Sequence, residues 1–339
     1  MEPSDTKPFD WAVLARLRRI FLEAGAGTPD YWKNESELEN YDRTFGQRIG
    51  WKWDYVLAEL KRRGWRPPGG EVLDWGCGSG MAGRAFLDFF GAGSVSRLRL
   101  WDRSKLAMDY ARRRALAKYP GLEVLTGMDA GSPPNLLLVS HVVTEMFQEQ
   151  VEQLVRLAGS VQSVIWVEPG TYEASWTLIG IRERLREAFN VCAPCTHQGA
   201  CGLMAKGNER HWCHHFAPSP PEIYMDGDWS RFGREMGVDL RRLPLSFLVL
   251  DRRPQPEWPP GTVRVIGLPR IYKPYALLLG CDLEGVRECK LARRTHPEEY
   301  KRLKKELPPP LQIWRRHGAE IVEMAEAPGF GAGDDGGGG

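Results

Sequence analysis

Glu71-Val72-Leu73-Asp74-Trp75-Gly76-Cys77-Gly78-Ser79-Gly80-Met81 decides the fold. Val72-Leu73-Asp74 reads as a short apolar strand, Gly76 to Gly80 as a glycine-rich turn, and Met81 to Phe90 as a helix. Glycines at alternate positions permit a tight turn and let a ligand reach the backbone closely. The helix that follows offers free N–H groups to an anionic group. An acidic residue, Asp74, opens the turn. Asp102 closes the next strand, Leu98-Arg99-Leu100-Trp101-Asp102, where a carboxylate can accept both hydroxyls of a ribose. The spacing Gly-x-Gly-x-Gly differs from the Gly-x-Gly-x-x-Gly of nicotinamide dehydrogenases.

On the C-terminal side of this stretch, strands and helices alternate. Ser104 to Tyr119 has helical periodicity with Ser104 as N-cap. Leu136 to Val139 and Val164 to Val167 are buried-strand candidates, and Gly170 to Asn190 reads as a loop and helix. That alternation implies a parallel sheet with helices on both faces. Leu243 to Leu250 is a late strand, and Val263 to Ile266 and Tyr275 to Leu279 are two more, in a small, mostly β unit. Lys290 to Glu306 is strongly charged and partly helical. On the N-terminal side, Trp11, Leu14, Leu17, Ile20 and Phe21 recur at helical steps, and an aromatic-rich stretch runs from Tyr41 to Leu60. Together they read as a helical cap ended by Arg66-Pro67-Pro68-Gly69-Gly70.

Six regions result: a helical region at 1–66, a Rossmann-like ligand domain at 67–190, a cysteine-rich metal-binding segment at 191–226, late core strands at 227–258, a β-rich unit at 259–315, and a tail at 316–339 with a disordered, glycine-rich end.

Apolar residues make up 42% of 339, enough for a substantial core, and the formal net charge of +2 gives no global attraction to nucleic acid. Any such attraction must come from local clusters such as Arg112-Arg113-Arg114, Arg252-Arg253, Arg270 with Lys273, and Arg293-Arg294. No apolar run is long enough to span a membrane. Met1 to Asp10 has no apolar h-region, so a cytoplasmic protein with no membrane partner is expected.

Seven cysteines are present, and four of them, Cys192, Cys195, Cys201 and Cys213, fall within one short aperiodic segment rich in His, Gly and Trp. Cys281 and Cys289 follow later. In a reducing compartment such a cluster points to metal rather than to disulfides. Thiolates suit zinc or an iron–sulfur cluster. A zinc knuckle would show two close pairs, and here the second pair is missing unless His197, His211, His214 or His215 fills in.

The turn Asp74 to Gly80 resembles motif I of class I methyltransferases, which bind S-adenosylmethionine (SAM). The resemblance implies that Asp74, Gly76, Cys77, Gly78, Ser79 and Gly80 line the methionine end of SAM, with Cys77 a small filler. It further implies that Asp102, with Ser104 beside it, holds the ribose, and that Asp129 lies near the adenine amine. Ala193-Pro194-Cys195-x-His197-x-x-x-Cys201 followed by Trp212-Cys213-His214-x-Phe216 resembles the methyltransferase-like family of the small ribosomal subunit, in mitochondria and bacteria. Val139 to Met146, Val167-Glu168-Pro169-Gly170-Thr171, Pro269-Arg270 and Leu279-Gly280-Cys281-Asp282 are similar to further segments of that family. The resemblance implies a 4Fe–4S cluster held by Cys195, Cys201, Cys213 and Cys281, with Cys192 as the alternative to Cys195 and Cys289 as the alternative to Cys281, and His197 and His214 donating to sulfur. It also implies binding to rRNA and the small ribosomal subunit, and a monomer off the ribosome.

The chemistry is less legible. Amino-methyltransferases of bases often carry Asn/Asp-Pro-Pro-Tyr/Phe after the fourth strand, and this chain has Ser140-His141-Val142-Val143 there. His141 and Glu145 fall near the cofactor without a nameable catalytic base. Three readings stay open: an rRNA methyltransferase, a non-catalytic rRNA-binding assembly factor, and a small-molecule or protein methyltransferase with structural zinc.

Overall fold

The computed structural model describes residues 8–23, 25–128 and 131–330. Asp129 and the glycine-rich end of the tail lie outside the described residues.

Three helices open the chain: α1 (Trp11–Glu23), α2 (Glu35–Tyr41) and α3 (Gln47–Arg62), the last two joined by a π-turn over Asp42–Gly46. Asn34 caps α2 by accepting from the Glu37 N–H at 3.1 Å. In α3, Trp53, Val56, Leu57 and Leu60 recur at three and four residues and are fully buried, which fixes the face it lays on the next layer.

That layer is an α/β sheet. It comprises β1 (Glu71–Trp75), α4 (Met81–Phe90), β2 (Arg97–Trp101), α5 (Lys105–Lys118), β3 (Glu123–Thr126), β4 (Leu136–Ser140), α6 (Gln148–Ala158), β5 (Ser163–Pro169), α7 (Tyr172–Leu185), β6 (Asn190–Ala193), β7 (His215–Ala217), α8 (Gly227–Met236) and β8 (Leu243–Asp251). The strand order is β3-β2-β1-β4-β5-β8-β6, with β7 also on β8. The first five strands are parallel; β8 runs antiparallel to β5, β6 and β7. This is the class I methyltransferase-like, Rossmann-like architecture expected, with the late strand as its antiparallel exception.

Alternation explains the double burial. Leu136 and Leu138 join the apolar cluster on one face of the sheet, and Leu137 and Val139 join the cluster on the other. All four are fully buried. Each such burial contributes about 1.5–3 kcal/mol, so the run tolerates no polar residue. β8 divides in the same way, with Leu245, Phe247 and Val249 on one side and Leu248 and Leu250 on the other.

The C-terminal unit is a closed five-stranded barrel: β9 (Thr262–Tyr272), β10 (Tyr275–Asp282), β11 (Gly285–Ala292), α9 (Pro297–Leu303), β12 (Leu311–His317) and β13 (Glu320–Glu326), in the order β10-β11-β13-β12-β9. Val263, Val265, Ala276, Leu278, Cys289, Leu291, Trp314 and Ile321 fill it. Gly280 makes room for Trp314, whose ring would lie 2.5 Å from a Cβ there. The unit extends to Glu326, so the expected boundary at 315 is corrected. It falls inside β12, and what was read as tail includes β13. These two strands face solvent with Arg315, His317 and Glu323, which hid them among charged residues.

The barrel and the helical cap are joined by a buried ion triad. Glu59 of α3 receives Arg264 of β9 at 2.6 Å and Arg63 at 2.7 Å, with all three side chains almost fully buried.

Candidate functional site

The strand order reverses between β1 and β4, and ligands of open α/β sheets bind at such a switch point, beyond the carboxyl ends of the strands. The glycine turn sits there. Gly76 and Cys77 donate to the Trp101 carbonyl at 2.8 and 2.9 Å, and Gly78 donates to Asp102 Oδ2 at 2.9 Å, so the turn is tied to the end of β2. Gly76, Gly78 and Gly80 all have positive φ (70°, 51° and 79°), a region that disfavours any side chain. A Cβ at 76 would strike Val142 and one at 80 would strike Ala111, whereas one at 78 meets nothing within 4 Å. Position 78 therefore faces open space.

Asp74 is fully buried. Its Oδ2 accepts from the Gly83 N–H at 2.9 Å, while Oδ1 has no partner, and neither has the buried Ser79 Oγ. Burial pushes the Asp74 carboxyl up to about 7, although the Gly83 N–H and Arg84 oppose it. Asp102 accepts from Gly78 and Ser104, and burial raises its carboxyl too. Ser104 serves as the expected N-cap of α5, its Oγ accepting from Ala107 at 3.4 Å. Cys77 is buried with a strongly raised thiol, first through burial and then through Asp102 and Asp74, which fits an inert filler. An unpaired carboxylate oxygen and an unpaired hydroxyl beside three bare glycines make a cradle for a polar ligand with an amine or hydroxyl to donate.

Beside the turn lies a group that the sequence reading did not assemble. Lys52 of α3 places Nζ 3.0 Å from His141 Nε2, just past β4. His141 has φ 56°, a strained conformation for a residue other than glycine, and Ser140 Oγ lies 3.3 Å from its Nδ1 while accepting from Trp53 Nε1 at 3.0 Å. Glu168, at the end of β5, accepts on Oε1 from Trp166 Nε1 at 2.7 Å and from the N–H groups of Val142 and Val143, and its Oε2 is unpartnered. Burial lowers Lys52 to about 7, with Arg48 helping and Glu168 opposing. Burial likewise raises Glu168 to about 7 and drives His141 well below the usual imidazole range, where Lys52 and Arg48 add to the shift. The one signal available for Lys52 was its place between Trp51 and Trp53 in the buried part of a helix. Glu145, expected near the cofactor, pairs with Arg103 at 2.8 Å and lies within electrostatic reach of Tyr31 and Asp102.

The second centre forms where the segment between β6 and β7 meets the barrel. Cys201, Cys213 and Cys281 share one apolar cluster with Ile179, Leu203 and Ile266. Burial pushes the Cys201 thiol up to about 11, and Cys195 adds to the shift. Burial also raises Cys213, with Cys195 and Cys201 contributing, and Cys281, with all three others contributing. The four predicted thiols therefore lie within electrostatic reach of one another. Cys192 and Cys289 do not join them: Cys192 faces Asp251 and Arg63, and Cys289 sits inside the barrel beside Arg316.

Arg182 Nε donates to Cys195 Sγ at 3.3 Å, and Arg63 holds the carbonyls of Cys192, Pro194 and Cys195 at 2.6–2.8 Å. His197 Nε2 lies 3.9 Å from Cys281 Sγ, as expected of a sulfur neighbour. The expectation for His214 is corrected. Its ring stacks on Trp212 at 4.4 Å, and it is His215 whose Nε2 stands 3.5 Å from Cys213 Sγ. Among the described residues no three His, Cys, Asp or Glu side chains are gathered closely enough to hold a metal ion.

Residues 92–307 match the family described as Mitochondrial small ribosomal subunit Rsm22. The chain belongs to the Rsm22 family. The Rsm22 match starts after the glycine turn and takes in β2 to β8, the cysteine segment and the barrel through α9. No curated protein matches the chain. Among solved structures, it is similar to PH1948 of Pyrococcus horikoshii, described as an RNA methyltransferase, with 14% identity over 70% of this chain and 97% of that one and a TM-score of 0.38. It is also similar to magnesium protoporphyrin IX methyltransferase of Synechocystis with bound SAH, with 15% identity over 70% of this chain and 93% of that one and a TM-score of 0.40. In this Rsm22-family chain no helix among the described residues is long and apolar enough to cross a membrane.

Proposed function

We propose that this Rsm22-family chain is a SAM-binding, methyltransferase-like factor that acts on rRNA of the small ribosomal subunit and carries a 4Fe–4S cluster on Cys195, Cys201, Cys213 and Cys281. The observation that carries SAM binding is the pair of orphaned polar atoms, Asp74 Oδ1 and Ser79 Oγ, in a positive-φ glycine turn at the switch point of the sheet. Asp74, Ser79 and the Gly78 backbone would hold the amino-acid end, and Asp102, the ribose. SAM supplies an electrophilic methyl when bound, and the protein's own task is alignment and exclusion of water. Lys52 supports the catalytic version: its Nζ, brought to about 7 by burial, lies against His141 just past β4 and can hold or release a proton at working pH.

The donor set fits the cluster. It is four soft thiols, flanked by the guanidinium of Arg182 as a sulfur-directed donor, with Glu183 beside them accepting from the Cys201 N–H at 3.0 Å. Zinc would take the same four thiols, and the metal assay below separates the two. When bound, the cluster would cross-link the 190–216 segment to β10 and tie folding to iron supply.

The test begins with oxygen-free purification and assay of iron, sulfide and zinc, then calorimetry with SAH, then incubation of labelled SAM with small subunits from cells lacking the protein. About four irons per chain, SAH binding lost in Asp102→Ala, and methyl incorporation into rRNA are expected. Stoichiometric zinc would replace the cluster, no SAH binding would refute the cofactor, and SAH binding without incorporation would leave a non-catalytic assembly factor.

A further inference from the structure

The barrel has a topology whose consequences reach beyond the sheet. Numbered within the unit, its strands close in the order one-two-three-five-four, with the single helix α9 between the third and the fourth. That is the Greek-key arrangement of an OB-fold, whose second and third strands and adjoining turns form a general surface for oligonucleotides and oligosaccharides. Here those strands are β10 and β11.

The outer face of β10 and β11 is split in two. Leu278 and Cys289 point inward, so Tyr275, Leu277, Leu279 and Cys281 point outward, opposite Ala292, Lys290, Glu288 and Val286. The half carrying Leu279, Cys281 and Val286 is covered by Leu203 and the cysteine segment. The other half is open. There Tyr272 and Tyr275 contact each other at 5.0 Å between ring centroids, tilted by 36°, and Tyr272 is 41% exposed. Lys290 Nζ stands 5.1 Å over the Tyr275 ring. Arg270 registers against Leu277 and pairs with Glu288 of β11, a pairing a phosphate must share or displace, and Lys273 is exposed in the turn between the two tyrosine strands. The turn at Gly318-Ala319 closes on the same end, since the Lys290 N–H donates to the Ala319 carbonyl at 2.8 Å.

We propose that this open half-face is a stacking platform for single-stranded RNA, with Tyr272 and Tyr275 taking unpaired bases and Arg270, Lys273 and Lys290 taking the phosphates between them. An exposed ring, Tyr272, beside a half-buried one, Tyr275, framed by cations, is the kind of surface that binds unpaired bases without reading sequence. A duplex cannot present its base faces to them. The proposal rests on the small-subunit reading for the identity of the strand, though not for the existence of the site.

The test uses the full chain and a fluorescein-labelled 12-nucleotide oligouridine, followed by anisotropy. Binding is expected, with at least a tenfold loss in Tyr272→Ala/Tyr275→Ala, retention in Tyr272→Phe/Tyr275→Phe, and a shallower salt dependence in Lys290→Gln. The same length of RNA annealed to its complement is expected to bind at least tenfold more weakly. With 5-iodouridine in the strand, photo-crosslinks are expected at Tyr272 or Tyr275. An unchanged thermal midpoint in the alanine variant shows that the barrel is intact. Equal affinity of the alanine variant and the parent, equal affinity for duplex, or crosslinks confined to another surface overturns the platform. Co-sedimentation with small subunits separates the two readings. If the parent chain sediments with subunits yet ignores the oligonucleotide, only the platform falls. If it binds the oligonucleotide through the tyrosines but never sediments with subunits, only the subunit reading falls.

Discussion

Lys52 Nζ stands 3.0 Å from His141 Nε2. The contact joins a helix of the N-terminal cap to the first residue beyond β4; Lys52 is buried and His141 half-buried. A lysine in that position is a cost to folding unless it serves something, because a buried ammonium loses hydration that one imidazole nitrogen cannot replace.

The cost has a pH signature. In the unfolded chain Lys52 titrates near its ordinary 10.5; in the folded protein burial brings it to about 7. Between those values the unfolded state holds the extra proton, so this group makes stability rise with pH from about 7 to 10 and fall as pH drops. Lys52→Met removes the effect. The variant is expected to be more stable than the parent at pH 7, by several kcal/mol at most, since each unit of displacement is about 1.4 kcal/mol, with a higher thermal midpoint that converges with the parent's near pH 10. Methyl transfer, if the protein performs it, is expected to drop in the same variant. Differential scanning across pH checks the first point, and no convergence at high pH would rule out the burial explanation.

Glu168 carries the opposite sign. Its carboxyl sits at about 7 in the fold against an ordinary 4.5, so the folded state holds the extra proton between them and stability falls as pH rises through that window. Lys52 opposes the shift without cancelling it. Glu168→Gln keeps the Oε1 acceptor for Trp166, Val142 and Val143 while removing the charge. The variant is expected to lose less stability than the parent between pH 5 and 8, by about 3 kcal/mol at most. Urea denaturation at the two pH values gives the comparison.

These two residues also show what was legible in the sequence. The sheet could be read because Leu136 to Val139 and Val164 to Val167 are apolar runs that only a doubly covered strand explains, and the turn Gly76 to Gly80 was legible because glycine spacing is a backbone property. Lys52 was not, because a lysine in a helix ordinarily belongs to the solvent face and only the packing of α3 places it inside. β12 and β13 were hidden for a related reason: a barrel strand shows every second residue to water, and here those residues are charged. The pairing of His215 rather than His214 with Cys213 depends on which way the short strand β7 faces, a one-residue register that composition does not contain.

The triad at the barrel junction predicts a larger effect than either titrating group. Glu59 accepts from Arg63 and Arg264, and Arg63 in turn holds three carbonyls of the cysteine segment. Removing the carboxylate leaves two buried guanidinium groups facing each other uncompensated. Glu59→Ala is expected to cost about 3–5 kcal/mol, and Glu59→Gln most of that, since the amide keeps the shape but not the charge. The loss is expected to appear as early melting of the barrel against the sheet, visible as premature amide exchange in β9 before β4.

The cysteines give the sharpest contrast, because the structure separates six candidates into two classes by position. Cys195, Cys201, Cys213 and Cys281 feel one another; Cys192 and Cys289 feel Asp251 and Arg316 instead. If these four hold the proposed cluster, serine in place of any of them abolishes most of the iron and lowers the thermal midpoint, since the cluster would couple metal binding to closing the 190–216 segment on β10. Cys192→Ser and Cys289→Ser place a hydroxyl in a buried site and are expected to cost about 1–3 kcal/mol each while leaving iron content near the parent's. Iron and acid-labile sulfide measured on all six variants, purified without oxygen, check the division. Full iron in Cys281→Ser with loss in Cys289→Ser would mean that the barrel contributes its ligand from β11, which would require β11 to turn its inward face outward.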